Sequence, residues 1–456
     1  MVINYANISK QKNNMAERKE KTVVVVGSGG REQGLGFGLG RSPDVKRTVM
    51  VPGNPGSHFL GIGHGKTIVN REPAGDDVGE YMKVIRAEKP DLVVVGPELL
   101  LVKGLGDMLA EEKIPAIAPT SEVARLEASK VHTRRLATFL GVPQPEYSIS
   151  NNVKDGLDML DAYWDWNYRV VKVDGLAGGK GVTVCDTKEE LSEAISTARK
   201  RFPTAADQIL IEERLEGTEV SYIGVTDGTR FVPFVPTMDY KRLLDGDKGP
   251  NTGGMGAIAP NPNLTPEIAQ EIEQRIVMPF IDHQREIGDP YKGFFYAGVM
   301  LTKDGPKLIE INVRNGDPET QVQMTTMSDA LDLYKFLRTV TDGTLRDSVQ
   351  VRKQLFPPNK AAVLIVLAAE GYPDNPKKDF EIWGINAASM LKDITVFHAA
   401  TKQSRAGAIV ANGGRVLNVV GTGKTIDQAR SKANLAIESI QDPSHSLIYR
   451  TDIGKR

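Results

Sequence analysis

The sequence predicts an α/β protein in three parts: an N-terminal doubly wound parallel sheet, a strand-rich centre, and a small C-terminal α+β unit. Three observations carry this. The continuous apolar run Val23-Val24-Val25-Val26 suits a strand buried on both faces; a glycine turn and a helical stretch follow it, and the same strand–turn pattern returns at Leu92 to Val95. From Tyr147 to about Thr341 the pattern changes to strands and hairpins mixed with helices. After Asn359 comes a long apolar strand, then a strand and a closing helix.

In chain order, the first twenty residues are polar and mixed in charge, with no apolar core of a secretory signal; they read as a mobile extension or a cloning remnant. Strand Val23–Val26 leads into Gly27-Ser28-Gly29-Gly30-Arg31-Glu32. A second strand ends in Gly96-Pro97-Glu98, and a third, around Ile114 to Ile117, leads into Pro119-Thr120. One helix is expected from Thr120 to about Leu140, where Gly141 and Pro143 stop it. In Leu308 to Arg314, strict alternation would put Ile309, Ile311 and Val313 in the core and Glu310, Asn312 and Arg314 on the other face. Strands Ala361–Leu367 and Val416–Val420, a helix from Thr425 to Ile440 and an exposed tail complete the reading.

Bulk composition narrows the function. The 456 residues suffice for about two to four packed units. A net charge of −1 gives no basic excess for nucleic acid. The longest apolar run, Ala361 to Ala369, is too short to span a bilayer. The single cysteine, Cys185, excludes an intrachain disulfide and a cysteine-rich zinc site, fits a reducing cytoplasm, and reads as a buried structural thiol.

The residues with chemistry lie in loops and strand ends. Between Asp174 and Gly181 four of eight residues are glycine, with Lys172 and Lys180 at either end. Such a loop brings backbone N–H groups close to an anion and suits a polyphosphate; it also fits a solvated hairpin. It is neither a Walker A motif nor a dinucleotide fingerprint. The turn Gly27 to Glu32 puts glycines before a helix N-terminus, a site for a single phosphate or simply a tight turn. Glu310 and Asn312, two residues apart on one strand face, suit Mg2+, with Arg314 placed to meet a developing anion; an ordinary polar outer face explains them as well. Glu212 and Glu219 flank a turn that would bring one to an adenine edge and one to a ribose hydroxyl, or is a charged surface turn. The stretch Asp245 to Ala257 reads as a linker or as backbone amides gripping a carboxylate. No zinc spacing and no nucleophile elbow occurs, so a covalent serine or cysteine mechanism has no support.

These runs, in this order, resemble the phosphoribosylamine–glycine ligases (glycinamide ribonucleotide synthetases) of the ATP-grasp superfamily. The resemblance rests on Val26 to Glu32, Pro52-Gly53-Asn54-Pro55-Gly56, Val95 to Glu98, Lys172 to Val182, Gly249 to Ala257, Tyr296-Ala297-Gly298, Gly316 to Gln321, Val396 to Ala399, Asn412 to Gly421 and Tyr449 to Gly454. After the polar extension over 1–20, expected to be disordered, it implies a Rossmann-like pre-ATP-grasp domain over 21–127, an ATP-grasp domain of two subdomains over 128–342, and a C-terminal domain over 343–456. The implied reaction is ATP-dependent ligation of glycine to 5-phosphoribosylamine through glycyl phosphate. The implied cofactors are ATP with Mg2+ or Mn2+, in a cytoplasmic monomer or small homo-oligomer without nucleic-acid or membrane partners.

Carried over residue by residue, Lys130 and Lys172 resemble the ATP-phosphate lysines, and Lys172 with Arg314 the catalytic pair. Gly178, Gly179 and Lys180 resemble the phosphate loop, Glu212 and Leu215 the adenine hinge, and Glu219 the ribose contact. Glu310 and Asn312 match the metal ligands. Gly29, Gly30, Arg31 and Glu32, with Asn54 and Glu98, look like the phosphoribosylamine side, and Asn251, Thr252, Gly253, Met255 and Asp317 the glycine side. The chain departs from the family at Gln33 (usually histidine), at Gly34, Gly36, Gly38 and Gly40 in a helix usually rich in alanine, at Tyr240 (usually histidine) and at Asn315 (often aromatic). A paralogous ligase with another amine or acid, and a binding protein that keeps the fold, are the other readings. Intact Lys172, Glu310, Asn312 and Arg314 argue against the latter.

Overall fold

The computed structural model describes residues 20–61, 66–178, 180–203 and 205–455. The expected extension, up to residue 19, and Gly179 of the expected phosphate loop lie outside the described residues. Strands β1 (Lys21–Gly27), β2 (Val45–Pro52), β3 (Thr67–Asn70), β4 (Leu92–Val95) and β5 (Ala116–Ile117) form a parallel sheet in the order β3-β2-β1-β4-β5. The apolar runs predict a doubly wound parallel sheet, and this order is one. It places its switch point between β1 and β4, where ligands of such sheets bind beyond the strand ends. Both the turn after β1 and Glu98 after β4 lie there.

The centre holds β6 (Tyr147–Ser150), β7 (Tyr168–Val173), β8 (Val182–Val184) and β9 (Ile209–Glu213), an antiparallel sheet in the order β6-β9-β7-β8. Helices Leu160–Asp165 and Lys188–Arg201 pack on it, and together with the sheet they bury a core of Tyr163, Val171, Val173, Ile195, Ile209 and Ile211. Cys185 belongs to that core, and burial pushes its thiol up to about 11, as a structural cysteine requires. Next come β10 (Thr218–Asp227), β11 (Phe231–Pro233), β12 (Met238–Asp239), β13 (Arg242–Leu244), β14 (Lys248–Asn251), β15 (Gly256–Ala259), β16 (Lys292–Thr302) and β17 (Gly305–Asn312). The second central sheet runs β11-β10-β16-β17. Its core continues without a break from Val24, Val26, Val93 and Val95 of the first sheet into Ala297, Val299, Leu308 and Ile311, so those two sheets form one packed body.

The stretch from Asp245 is not a linker: β13 and β14 pair as a hairpin. Strands β12 and β15 then join the C-terminal sheet with β18 (Ala361–Ala369), β19 (Ile394–His398), β20 (Thr401–Gln403), β21 (Ile409–Ala411), β22 (Arg415–Gly423) and β23 (Leu447–Ile448); its path is β12-β15-β18-β22-β19, with β23 on β18 and β20–β21 a separate pair. The expected exposed tail is docked instead. Arg450 is 1% exposed, ion-paired to Asp247 and Asp452, and Ile453 is fully buried.

Two helices differ from expectation for physical reasons. The helix expected over Thr120–Leu140 is two, Ser121–Ala128 and Lys130–Phe139, broken at Ser129, whose extended backbone (φ −130°) lets its Oγ cap the second by accepting from His132 N. Three glycines of helix Gly30–Gly40 (Gly30, Gly34 and Gly38), which weaken an isolated helix, serve a close approach, whereas a Cβ at Gly40 would meet nothing within 4 Å. A Cβ at Gly34 would lie 3.4 Å from Gln321 Cα, and one at Gly38 only 2.7 Å from Met324 Sδ. Gly30, Gly34 and Gly38 share one helix face, and helix Glu319–Thr326, buried throughout, lies against it. Among the described residues no helix is long and apolar enough to cross a membrane.

Candidate active site

The deepest part of the site is an ion cluster between the two central sheets. Lys172 on β7 lies 2.7 Å from Glu212 Oε2 and donates to the Ile309 carbonyl at 3.2 Å. Arg134, one turn after Lys130 on the same helix, holds Glu212 with two hydrogen bonds (2.6 and 3.1 Å) and also donates to the carbonyls of Leu308 (3.0 Å) and Ile309 (2.6 Å). Burial alone would raise the Glu212 carboxyl; Arg134 and Lys172 outweigh it and hold the group below the usual carboxylate range. The carboxylate of Glu212 is therefore engaged within the protein, and the residue's main chain lies in a strand paired on both sides, opposite Tyr147 of β6 and Val170 of β7. Leu215 lies in the linker just beyond β9.

Strict alternation in β17 does not hold. Gly298 pairs with Glu310 but Val299 with Leu308, a bulge that leaves Ile309 without a partner and puts Leu308 in the core in its place. The bulged residue's carbonyl is the one that Lys172 and Arg134 share.

Past the bulge, Glu310 and Asn312 sit together, with Asn312 Nδ2 3.5 Å from Glu310 Oε1. Burial would raise the Glu310 carboxyl, but Lys241, Lys172 and Lys130 pull it down to about 2. Lys241 lies 3.6 Å from Glu310 Oε1 and is ion-paired with Glu219 on β10, so the expected ribose contact and metal ligand share one lysine. Lys130 Nζ donates to Gly175 O at 3.3 Å, at the base of the glycine loop, and Asp174 accepts from Ser129 Oγ (2.9 Å) and Val131 N (2.7 Å). A carboxylate and an amide oxygen are a donor set for a hard divalent cation that phosphate oxygens and water complete. Among the described residues no group of three His, Cys, Asp or Glu side chains would hold a metal alone. The residues fit Mg2+ or Mn2+ held jointly with a substrate.

Arg314 follows β17. Its Nε donates to Glu98 Oε2 (3.2 Å), its Nη2 to Asn312 Oδ1 (3.0 Å), and Nη2 also lies 2.8 Å from Glu127 Oε1. Glu98 is pulled down to about 2: burial opposes this, but Arg314 and Arg31 outweigh it. Arg31 Nη1 is 3.9 Å from Glu98, so this carboxylate ties the first turn to the end of β17.

In that turn the Gly29 N–H is taken by the protein itself: it donates to Glu32 Oε2 at 2.7 Å, while Arg31 holds Glu32 Oε1 at 2.6 Å. The first-turn N–H groups of Gly30 and Arg31 have no helical acceptor and are the ones left for a phosphate. Asn54 spends its amide on Ser28 O, His398 O and Gly56 N. Gln33, where the family usually has histidine, is a buried clamp, donating to Gly56 O at 2.8 Å and accepting from His398 N at 2.5 Å. It holds the first helix to β19 rather than facing a ligand. A Cβ at Gly30 would lie 2.1 Å from Asn418 Nδ2 and 2.6 Å from Gln321 Nε2. Gly30→Val is therefore expected to cost about 1–3 kcal/mol by overpacking and to raise the KM for the amine substrate about tenfold, with the KM for ATP within twofold. An unchanged amine KM in steady-state assays would remove this turn from the acceptor site.

On the remaining side, Asp317 pairs with Arg415 (3.0 Å) and accepts from Gln321 (2.8 Å). Arg415 also donates to Gly253 O (2.6 Å), and Gly253 N donates to the Tyr372 hydroxyl (3.0 Å). Thr252 Oγ1 caps Gly254 N, and Asn251 ends β14. Met255 does not join them. Its side chain is fully buried with Val235, Ala257 and Phe397, and its N–H and carbonyl are bonded to Tyr240 and Val366. In the glycine loop a Cβ at Gly178 would meet nothing within 4 Å, whereas Lys180 reaches across to Pro373 O at 2.6 Å. Arg134, Glu127, Arg415 and Tyr372 were missed by sequence reasoning. Arg134 carried one usable signal, its spacing of four from Lys130 on a helix.

Two sheets facing across a lysine-rich cleft, a glycine loop beside it and an acid–amide pair on the opposing strand define an ATP-grasp enzyme. Family models of phosphoribosylglycinamide synthetase match in sequence: the N domain over residues 21–127, the ATP-grasp (A) domain over 128–320 and the C domain over 362–456. The chain belongs to the phosphoribosylglycinamide synthetase family. It is 39% identical over 425 residues to a phosphoribosylamine–glycine ligase of Rhodopirellula baltica, covering 92% of this chain and 94% of that one. It is 38% identical over 444 residues to the chicken trifunctional purine biosynthetic protein adenosine-3; the match covers 97% of this chain but 42% of that longer protein. The crystal structure of phosphoribosylamine–glycine ligase from Thermotoga maritima is similar at a TM-score of 0.78 and 31% identity, over 95% of this chain and all of that one. A biotin carboxylase domain from Hydrogenobacter thermophilus, in complex with MgADP, shares the fold at 17% identity and a TM-score of 0.68, over 94% of this chain and 91% of that one.

Proposed function

We infer that this chain ligates glycine to 5-phosphoribosylamine with ATP, giving glycinamide ribonucleotide, ADP and phosphate, in de novo purine biosynthesis. The observation that carries the reading is the end of β17: Glu310 and Asn312 face Lys172, Lys130 and Lys241, and Arg314 turns to the residues beyond the first sheet.

A carboxylate is a poor electrophile. A glycine oxygen attacks the γ-phosphorus, the bond to the β-phosphate oxygen breaks, and ADP departs. The amine nitrogen of phosphoribosylamine then attacks the acyl carbon; the carbon–oxygen bond to phosphate breaks, phosphate leaves, and the nitrogen sheds a proton. Lys172 and Lys130 hold the ATP phosphates, the loop around Gly178 and Lys180 covers them, and Arg314 meets the charge of the moving phosphoryl group. Glu310 and Asn312 would hold Mg2+ or Mn2+, which when bound neutralises phosphate charge and polarises the phosphoryl group. Gly30 and Arg31 take the acceptor's phosphate, and the loop Asn251–Gly253 with Asp317 lies on the glycine side. The substrates are small molecules, and the reading fits an enzyme of the cytoplasm.

The test is ADP release from the full chain. It should require both glycine and phosphoribosylamine, and the unphosphorylated ribosylamine should be a much poorer acceptor. Stimulation by a different amine or amino acid, with none from these two, would assign the fold to another carboxylate–amine ligation.

A further inference from the structure

Glu127 has no part in the chemistry above, yet it is buried beside it. It lies in the last turn of helix Ser121–Ala128, where the C-terminal end of the helix dipole disfavours a carboxylate. Its side chain is 7% exposed. A buried carboxylate is costly, and an apolar residue of like volume is often neutral or stabilising in such a place. Its contacts show what it is engaged in. Oε2 accepts from the Val313 N–H at 2.8 Å and Oε1 lies 2.8 Å from Arg314 Nη2, so one carboxylate grips both the main chain before Arg314 and the guanidinium itself.

Arg314 has a second carboxylate partner, Glu98, of a different kind. Glu98 is 27% exposed, lies at 3.2 Å and is shared with Arg31 of the first turn, which would hold the acceptor. Glu98 is the exchangeable partner and Glu127 the fixed one. The fixed partner answers an electrostatic problem: Glu310, on the same strand, also feels the Arg314 charge, while burial opposes the Arg314 charge and Glu127, then Glu98, are the carboxylates that sustain it. An arginine drawn onto Glu310 would neither face the phosphoryl group nor leave the metal ligand available.

We propose that Glu127 is a positioning residue that holds the Arg314 guanidinium toward the transferring phosphoryl group. This rests on the reading that Arg314 acts in phosphoryl transfer. The groups facing Glu127 are Arg314 and the Val313 N–H at the end of β17, Glu98 and Arg31 beyond the first sheet, and Tyr291 before β16. Burial, with Arg314 opposing it, pushes the Glu127 carboxyl up to about 7. Above that pH it is ionised and grips Arg314; below it, the grip is lost.

The experiment compares the full-length wild type with Glu127→Gln and Glu127→Asp, using ADP release with glycine and phosphoribosylamine, and basal ATP hydrolysis without either. For Glu127→Gln we expect a fall in kcat of about 10- to 100-fold, with the KM for ATP within about threefold, since a charge-assisted contact made to a group used in the transition state is lost. Glu127→Asp, which keeps the charge, should recover part of that rate. Wild-type kcat should fall as pH drops through about 7, and Glu127→Gln should lack that limb. A Glu127→Gln enzyme within threefold of wild type, or one in which Gln and Asp lose rate alike and the acid limb persists, overturns the proposal. Wild type inert with glycine and phosphoribosylamine overturns the reading of function instead. Basal hydrolysis then decides on Glu127: a loss of tenfold or more in Glu127→Gln supports its role, and an equal rate overturns it.

Discussion

Glu310→Ala is expected to lower kcat about 10³-fold or more, because a metal ligand that neutralises phosphate charge contributes several kcal/mol to the transition state. The structure gives the reason that the loss falls on turnover. Lys241, Lys172 and Lys130 converge on this carboxylate strongly enough to bring it to about 2 despite burial, so it is ionised at any working pH and available to a divalent ion. Without it the lysines still attract ATP phosphates, and the KM for ATP should move by less than about tenfold. The fold should survive. Glu310 lies on the cleft side of β17, and its neighbour Lys241 keeps Glu219 as a partner. Steady-state rates at saturating magnesium, read beside the thermal midpoint, make the check. A variant within tenfold of wild-type kcat would remove Glu310 from the metal site, and a midpoint lowered by many degrees would mean the carboxylate is structural.

How far the sequence carried the reading depends on whether an interaction is local. The parallel, doubly wound character of the first sheet was legible because Val23–Val26 and Leu92–Val95 are continuous apolar runs, each followed by a turn, as strands covered on both faces read, whereas their order was not. Glu310, Asn312 and Arg314 were legible because strand periodicity puts them on one face. The bulge at Ile309 was not, since it is imposed by the partner strand at Gly298–Val299, and nothing in the seven residues of that motif encodes it. The break at Ser129 was missed for the opposite reason: serine, lysine and valine there do not interrupt a helical pattern, and the break is stabilised by Asp174, distant in sequence. Gly34, Gly36, Gly38 and Gly40 looked like a departure that weakens a helix, and the cause of Gly34 and Gly38 lies in a helix that begins at Glu319. Arg134 and Glu127 escaped for a shared reason. Each is a charged residue in an ordinary amphipathic helix, and only its burial against residues far along the chain shows that it is part of the site.

Lys172→Ala is expected to lower kcat/KM for ATP about 10²- to 10³-fold, and its interest lies in how stability should respond. Taking one partner from a buried ion pair usually costs about 3–5 kcal/mol, because the other charge is left uncompensated. Here Glu212 keeps Arg134, bonded at 2.6 and 3.1 Å, and the Ile309 carbonyl keeps its 2.6 Å bond from the same guanidinium. What remains is the lost second cation and the space left by a side chain on a residue only 4% exposed, and the penalty should stay near about 2 kcal/mol. For the phosphate, by contrast, Arg134 is no reserve: it is committed to Glu212 and to two carbonyls of β17, and its planar fork is not directed to a third anion. Lys172→Arg should not restore activity either, since a second guanidinium must fit beside Arg134 in a pocket built for an ammonium. Calorimetric titration with ATP or ADP, set against urea unfolding of the same variants, separates the two effects. Nucleotide affinity unchanged in Lys172→Ala, with several kcal/mol of stability lost, would make Lys172 a structural member of the cluster and leave Lys130 and Lys241 as the phosphate cations.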